Sequence, residues 1–485
     1  MLDICRNIFA EWNSKNIKYC HWKSNEHLVA GLNGLTDLDV LLSKEHKEEG
    51  CAILAQMNCL KCKSQYGSRY PDVEDWIGMD GETGKLIHIH LHFNLVTGHK
   101  GMKEYSLPWT YDVLKTRMQE ENTRVYISDP NWELITLYAR ICLKASDKQV
   151  SQAKQNTFCL SEDYQKEISY LKKRIDWNVI RQALFQYFSV DADNILSLMM
   201  EEKMDSHSFL TLREMVERAM KPYNRYGRSA TIVRKHYYRI ILRLMSYLKR
   251  KDYNLILRKT PLDKKGMTIA FLGQDGSGKS TITIDLVKWL RWKMEAKRFY
   301  LGSGEHYMPW EKGVLIKLRG KRSFFTRIIK FWLPLSIYMK LSKNVLKTIL
   351  RARRYADNGG IALFDRYPQT IVYGINDGPK IRELYAQKVH NTFLRDIILL
   401  FAKIEEKNLK KAAMLSPDMV IKLLLPPEES IRRKPRENMD VIKRKHQIIK
   451  TLMFDGSETY TIDATKEYDK ELLEIKSIIW AHLIA

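Results

Sequence analysis

The sequence has no cysteine after Cys159, and all seven of its cysteines lie at or before that position. An odd count with irregular spacing argues against a disulfide framework and predicts reduced thiols. Cys59 and Cys62 form a Cys-x-x-Cys pair, and zinc sites of this kind need a second such pair. Because no second such pair exists, the pattern favours free cysteines over structural zinc.

Long hydrophobic runs are also absent. The most notable uncharged apolar stretch, residues 331–339, is far too short to span a bilayer. The first six residues lack the basic-then-apolar order of a signal peptide. With 45% hydrophobic residues in a chain of 485, we expect a cytoplasmic protein of two or three globular domains without a transmembrane segment.

Acidic residues are scarce in two segments that carry most of the formal net charge of +24. Residues 226–259 contain ten Lys or Arg and one acid, and residues 312–354 contain thirteen and none. Such segments attract nucleotides, anionic lipid head groups, acidic glycans or nucleic acid, or else form a solvated helix face. Nucleic-acid binding rests on charge alone here, since no recognised nucleic-acid-binding motif is present. In 312–354, aromatic and basic residues interleave, which is compatible with peripheral contact to an anionic membrane, although packing on the domain is favoured.

What is present is a phosphate-binding loop in its required context. An apolar strand, 267–272, leads into Gly-x-x-x-x-Gly-Lys-Ser and then into a helical pattern. Backbone amides of such a loop point inward, and the following helix offers its positive end to phosphate. The residues expected to bind the nucleotide are Gly273, Asp275, Gly276, Ser277, Gly278, Lys279, Ser280 and Thr281. Lys279 is expected to reach the β- and γ-phosphates of ATP and the Ser280 hydroxyl to ligate Mg²⁺.

Two further signals follow the loop. The apolar strand 361–364 ends in Asp365-Arg366, where ligands of parallel sheets bind. An acid there can hold Mg²⁺ and an arginine can grip a phosphate. A later basic cluster, Arg432, Arg433 and Arg436, follows the strand 419–425 and predicts a lid over the nucleotide, although a solvated charged helix has the same pattern.

These motifs resemble the thymidylate kinase family, and the resemblance covers residues 265–485. The segments that match are the loop 273–281, Asp365-Arg366-Tyr367, the basic region and the closing stretch 460–464. The resemblance implies ATP with Mg²⁺ as donor, with Lys279, Asp365, Arg366 and the basic cluster as catalytic residues. It places Arg366 on the acceptor's phosphate and Asp275 near an acceptor hydroxyl. In that family the second strand leads into an Arg-Glu-Pro-Gly run. The corresponding residues of this chain, 299–305, contain no such run. The acceptor is therefore open: a nucleoside monophosphate or a related small phosphorylated or hydroxylated molecule.

A second motif lies near the N-terminus, where Lys23-Ser24 precedes Asp37 and Asp39. Strand alternation places both aspartates on one face, where they can bind metal ions. The pattern resembles the nucleotidyltransferase superfamily, which implies Asp37 and Asp39 as Mg²⁺ ligands. The third carboxylate of that superfamily is missing from the strand 86–93, which offers His88, His90 and His92 instead. Three alternatives stay open: a degenerate module that only binds, a different metal held by Asp37, Asp39 and histidines, or Asp80 as the missing acid.

Together the patterns predict an α/β protein of three parts. These are a nucleotidyltransferase-like domain (1–125), a helical domain with a linker (126–260) and a parallel P-loop sheet wrapped by helices (261–485). We expect an ATP-dependent kinase acting on a small-molecule acceptor. The alternative is a non-catalytic ATP-binding regulatory or assembly protein that docks on membrane, glycan or nucleic acid.

Overall fold

The computed structural model describes residues 1–64, 69–250, 259–301, 317, 323–373, 377–385, 389, 391–435 and 438–485. The chain divides into two compact units, Met1–Thr260 and Pro261–Leu483. The boundary falls in the stretch predicted as a linker before the phosphate loop.

The first unit contains a mixed sheet of seven strands, ordered β3-β4-β5-β2-β1-β9-β8. Its strands are β1 Tyr19–His21, β2 Leu38–Leu42, β3 Leu60–Cys62, β4 Val73–Met79, β5 Leu86–His92, β8 Met118–Gln119 and β9 Tyr126–Ile127, and a separate pair is formed by β6 Val96–Thr97 and β7 Tyr105–Ser106. In the centre, β5 runs parallel to β2 and antiparallel to β4. Polar residues on one face of β5 therefore lie next to polar residues of both β2 and β4.

Helices pack on this sheet and continue beyond it. They are α1 Asp3–Ser14, α2 Leu28–Leu32, α3 Lys47–Gln56, α4 Thr110–Lys115, α5 Pro130–Lys144, α6 Asp147–Lys154, α7 Glu162–Lys172, α8 Trp177–Phe188, α9 Ala192–Met200, α10 Ser206–Met220 and α11 Arg228–Arg250. Helix α5 begins with a capped turn: the Asp129 side chain accepts a hydrogen bond from the Asn131 amide, and proline occupies the first helical position.

The sheet end of the unit and its helical part share one hydrophobic core. Trp22 and Trp109, from the sheet region, are buried in the same cluster as Trp132, Leu184 and Phe209 of the helices. The division of this unit into two domains near residue 125 stays a prediction.

The second unit is built on a fully parallel sheet ordered β11-β12-β10-β13-β14. Its strands are β10 Met267–Gly273, β11 Ala296–Tyr300, β12 Ile361–Asp365, β13 Met419–Leu424 and β14 Glu458–Asp463. The three central strands are almost wholly buried, as expected for parallel strands covered by helices on both faces. The predicted fold class, α/β with a parallel sheet wrapped by helices after the loop, is confirmed.

The helices of this unit are α12 Lys279–Leu290, α13 Phe324–Asp357, α14 Ile381–Leu384, α15 Thr392–Ala413, α16 Pro427–Arg433, α17 Met439–Thr451 and α18 Tyr468–Ile484. The stretch 299–305, compared above with the Arg-Glu-Pro-Gly run, begins at the end of β11, and its residues 302–305 lie outside the described part of the chain.

Residues 324–354 of the basic segment 312–354 form all but the last three residues of helix α13. From Leu335 onward this helix buries apolar residues; Leu335 itself packs with Ile381, Ile398 and Ala402. The packing expected for this segment is therefore observed, whereas membrane contact stays a prediction. None of the helices that the structure describes combines the length and the apolar run needed to cross a bilayer.

A buried side-chain contact joins the starts of β10 and β13. The carboxylate of Asp418 accepts hydrogen bonds from the amide and hydroxyl of Thr268, each at 2.7 Å, and the Thr268 hydroxyl accepts one from the Asp418 amide. Thr268 is buried and Asp418 is half-buried, so water has limited access to these bonds.

We expect Thr268→Val to lower the free energy of unfolding by about 1–2 kcal/mol, because the half-buried Asp418 loses the acceptor of its amide and one of the two donors to its carboxylate. The measurement is urea-induced unfolding of the full chain. Thr461→Val on the exposed face of β14 is the matched control. An equal shift in both variants would contradict the assignment.

Candidate active site and a second polar cluster

The loop after β10 has the tight backbone that its glycines predicted. Gly276 and Gly278 have φ angles of +86° and +83°, a region that other residues rarely adopt. A Cβ on Gly273 would lie 2.3 Å from the Ser277 hydroxyl and 2.9 Å from the Leu423 carbonyl oxygen. These glycines are therefore required by the loop's geometry.

Lys279 begins α12 and turns back over the loop. Its ammonium donates to the carbonyl oxygens of Gly273 at 2.7 Å and Gln274 at 2.9 Å. Burial, together with the charge of Arg366, lowers the pKa of Lys279 to about 8. A buried ammonium at the rim of inward-facing amides favours the binding of an anion.

Asp365 ends β12 at the same edge of the sheet, because β12 and β10 are parallel neighbours. Its Oδ2 accepts from the Ser280 hydroxyl at 2.7 Å and from Arg298 Nη2 at 2.6 Å. Its Oδ1 is buried and has no hydrogen-bond partner among the described residues. A hydroxyl and a carboxylate with one oxygen to spare are hard oxygen ligands that fit Mg²⁺.

Arg366 follows directly and has φ +111°, an unusual angle for a residue with a side chain. Its guanidinium lies 3.6 Å from the carboxylate of Asp377. The Asp377 charge raises the pKa of Arg366. The strained backbone turns this side chain into the space beside the loop, as strain at functional sites often does.

Asp275 lies inside the loop and forms an ion pair with Lys445 of α17. Burial raises the pKa of Asp275, but the hydrogen bond and charge of Lys445 outweigh it and lower the pKa below its usual value. The side chain of Thr281 is exposed on the first turn of α12, and that of Ser277 is buried within the loop.

The two described arginines of the predicted basic lid lie in different environments. Arg432 is exposed and paired with Glu429 in its own helix, α16. Arg433 also contacts Glu429, but its Nη1 lies 3.5 Å from the carbonyl oxygen of Gly276 in the loop. Arg436 lies outside the described residues. Of the two described arginines, Arg433 is the one next to the phosphate loop.

Two pockets meet at Arg366 and Asp377. The first is lined by the loop, Lys279 and Lys445. The second lies between α13, α15 and the segment after β12, with Tyr338, Ser342, Lys380 and Glu405 among its lining residues. The side chain of Arg366 therefore faces both a phosphate-loop pocket and a neighbouring pocket.

The first unit brings together the carboxylates and histidines predicted there. Asp39 on β2 is paired in register with His90 on β5. Asp39 Oδ1 lies 2.7 Å from Lys23 Nζ, 3.1 Å from His90 Nδ1 and 3.6 Å from His92 Nε2. Burial raises the pKa of Asp39, but these cationic and hydrogen-bonding partners hold it well below its usual range.

His88 belongs to a separate set of contacts. Its Nδ1 lies 2.8 Å from Asp37 Oδ1 and its Nε2 lies 2.9 Å from Asp75 Oδ1. Burial lowers the pKa of His88, but the two carboxylates outweigh it and raise it to about 9. The acid beside β5 is thus Asp75 on β4, whereas Asp80 accepts hydrogen bonds from the Ile4 and Thr83 amides in another contact network.

Comparison with known proteins finds relatives at low identity. The chain is 28% identical over 224 residues to the uncharacterized ATP-binding protein YghR of Escherichia coli (strain K12), a match that covers 44% of this chain and 86% of that protein. It is 25% identical over 237 residues to the uncharacterized ATP-binding protein YghS of the same strain, covering 45% and 92%. No family model matches the sequence.

Among solved structures, the chain is similar to deoxyadenosine kinase from M. mycoides with bound products and with bound dATP. Both are 17% identical and cover 44% of this chain, with TM-scores of 0.28 and 0.26. Values this low support no argument about function.

Four residues of these two sites were missed by the sequence analysis: Arg298, Asp377, Lys445 and Asp75. Arg298 stands on β11, whose bounds the sequence analysis did not predict, and none of the four stands in a motif. The alternation of β4 places Asp75 on a definite face, but only its pairing with β5 shows that this face meets the histidines.

Replacing Arg366 tests the backbone strain. We expect Arg366→Gly to be more stable than Arg366→Ala by about 1 kcal/mol, because glycine adopts φ +111° without a steric penalty and both variants lose the same side chain. Urea unfolding of the two full-length variants measures the difference. The assignment of strain would be wrong if the alanine variant were equally or more stable.

Proposed function

We propose that the second unit is an ATP-dependent phosphotransferase of the thymidylate-kinase-like type. The observation that carries this proposal is the meeting of Lys279, Ser280, Asp365 and Arg366 at the carboxyl ends of β10 and β12. The names of the E. coli relatives, both ATP-binding proteins, support the choice of donor.

The donor's phosphates would bind against the amides of residues 273–278. Lys279 already stands at this loop, held by two carbonyl oxygens that phosphate oxygens would replace as its partners. Ser280 and Asp365 would hold Mg²⁺, which neutralises phosphate charge when bound. Arg433, close to Gly276, would add charge on the outer side of the loop.

The acceptor would bind in the second pocket, with its reacting oxygen near Arg366. That guanidinium can grip a phosphate in two places, and Asp377 orients it. Lys380 supplies a further cation in this pocket, and Tyr338 supplies an aromatic ring that lies within 5.8 Å of the Lys380 ammonium. These groups suit a small phosphorylated acceptor that carries a ring or other apolar part.

Transfer would form a bond from the acceptor oxygen to the γ-phosphorus and break the bond from that phosphorus to the β–γ bridging oxygen, releasing ADP. A phosphate acceptor needs no base. A hydroxyl acceptor would give its proton to a carboxylate, and Asp275 is the one that the resemblance places there. Most of the rate enhancement would come from positioning and charge neutralisation.

We expect Lys279→Ala to reduce the turnover number by roughly 100-fold or more, because it removes a preorganised charge at the transferring phosphate. ATP consumption is measured with a panel of nucleoside monophosphates, nucleosides and sugar phosphates. Lys288→Ala, exposed at the far end of the same helix, is the matched control.

In this assay, acceptor-dependent turnover that Lys279→Ala removes supports the kinase. Tight ATP binding without turnover for any acceptor would favour the regulatory alternative. Unchanged turnover in Lys279→Ala would contradict the site assignment.

The lowered pKa of Lys279 predicts proton uptake on ATP binding. With a pKa of about 8, the amine is partly neutral at about pH 8.5, and phosphate favours its charged form. ATP affinity should therefore fall as pH rises through this range, and binding should take up a proton. Calorimetry in buffers of different ionisation enthalpy measures that uptake.

Lys279→Arg is the control for this experiment, because arginine stays charged throughout the range. The uptake should vanish in that variant while binding persists. Equal uptake in both proteins would assign the proton to another group.

A nucleotidyltransferase activity of the first unit stays a prediction. Asp37 and Asp39, the residues predicted to bind Mg²⁺, each contact histidine.

A further inference from the structure

The three histidines on the polar face of β5 have different partners. Both ring nitrogens of His88 lie within 3 Å of carboxylate oxygens, those of Asp37 and Asp75. His88 therefore has no nitrogen left for another ligand. His90 and His92 instead each direct one nitrogen at the same atom, Asp39 Oδ1.

We propose that Asp39, His90 and His92 form a binding site for a zinc-class divalent transition metal. The three ligand atoms form a triangle with sides of 3.1, 3.3 and 3.6 Å. In a tetrahedral site with bonds of about 2.0–2.1 Å, ligand atoms stand roughly 3.3–3.4 Å apart. The triangle is thus the size of one face of such a site before any side chain moves.

The donor set selects the metal class. Two imidazoles and one carboxylate suit zinc and its transition-metal neighbours, whereas Mg²⁺ prefers oxygen ligands alone. No other cluster of the described residues has this donor mixture: the second group with metal-binding spacing consists of three glutamates.

The rings are held in place independently of any ion. His92 is buried, packed edge-on against Trp22 with ring centroids 5.1 Å apart, and its ring also packs against that of His90. The side chains of Asp39 and His90 retain 17% and 26% exposure, so one side of the triangle stays open to an exchangeable fourth ligand.

Lys23 would compete with the metal for the Asp39 carboxylate. Its ammonium lies 2.7 Å from Asp39 Oδ1, on the oxygen that both imidazoles share. A divalent ion in the triangle would repel this ammonium at short range, so the lysine must move away when the metal binds. Metal affinity should therefore depend on the charge at position 23.

The experiment strips the full-length protein with a chelator and titrates it with Co²⁺ and, by competition, with Zn²⁺. We expect one equivalent to bind, with the intense visible absorption of tetrahedral cobalt. His90→Gln and His92→Gln should each weaken binding by at least about 100-fold, since even outer-shell partners of metal ligands cost roughly 10–100-fold. Circular dichroism checks that each variant is folded.

Three further variants separate this site from its surroundings. Lys23→Met should tighten Zn²⁺ binding about tenfold or more, because it removes a like charge at short distance. His88→Gln and the exposed His27→Gln should leave the affinity within about threefold, as neither belongs to the triangle.

The proposal would be overturned by the absence of stoichiometric binding, by equal losses in His88→Gln and His90→Gln, or by a preference for Mg²⁺ over Zn²⁺. None of these outcomes bears on ATP turnover by the second unit, so the two proposals fail separately.

Discussion

The carboxylate of Asp365 is the contact on which the phosphate-loop site depends. It ends β12, is almost completely buried, and is held by Ser280 from the first turn of α12 and by Arg298 from β11. A buried charge must be paired, so these three elements keep one relative position. That position aligns the loop, the hydroxyl and the acid at one edge of the sheet before any nucleotide binds.

Three cations line the pocket at the phosphate loop, and each is held by a neighbour. The backbone carbonyls of the loop hold Lys279, Asp377 holds Arg366, and Asp275 holds Lys445. Such a site is preorganised for anions, because little reorganisation is needed when phosphate replaces the internal partners. The same pairing explains why a +24 chain can keep several cations in one pocket without losing its fold.

In the first unit, the partners of the clustered carboxylates are mainly imidazoles. On the two sides of β5, Asp75 of β4 contacts His88, and Asp39 of β2 contacts His90 and Lys23. The histidines occupy the place where the nucleotidyltransferase resemblance expects an acid. Because ring nitrogens and carboxylate oxygens favour different metals, this face differs chemically from the oxygen-lined site of the second unit.

The sequence by itself determined the features that are local along the chain. The strand, loop and helix around 267–290 follow from a buried apolar run, glycines at positions of positive φ and a helical pattern, and Asp365 follows from the end of another apolar run. Only the tertiary structure decided which groups complete each site. Arg298 reaches Asp365 because β11 lies next to β12, and Asp75 reaches His88 because β4 pairs with β5. The division of the histidines between two carboxylate sets likewise depends on strand register, which is fixed by long-range packing and cannot be derived from residue spacing alone.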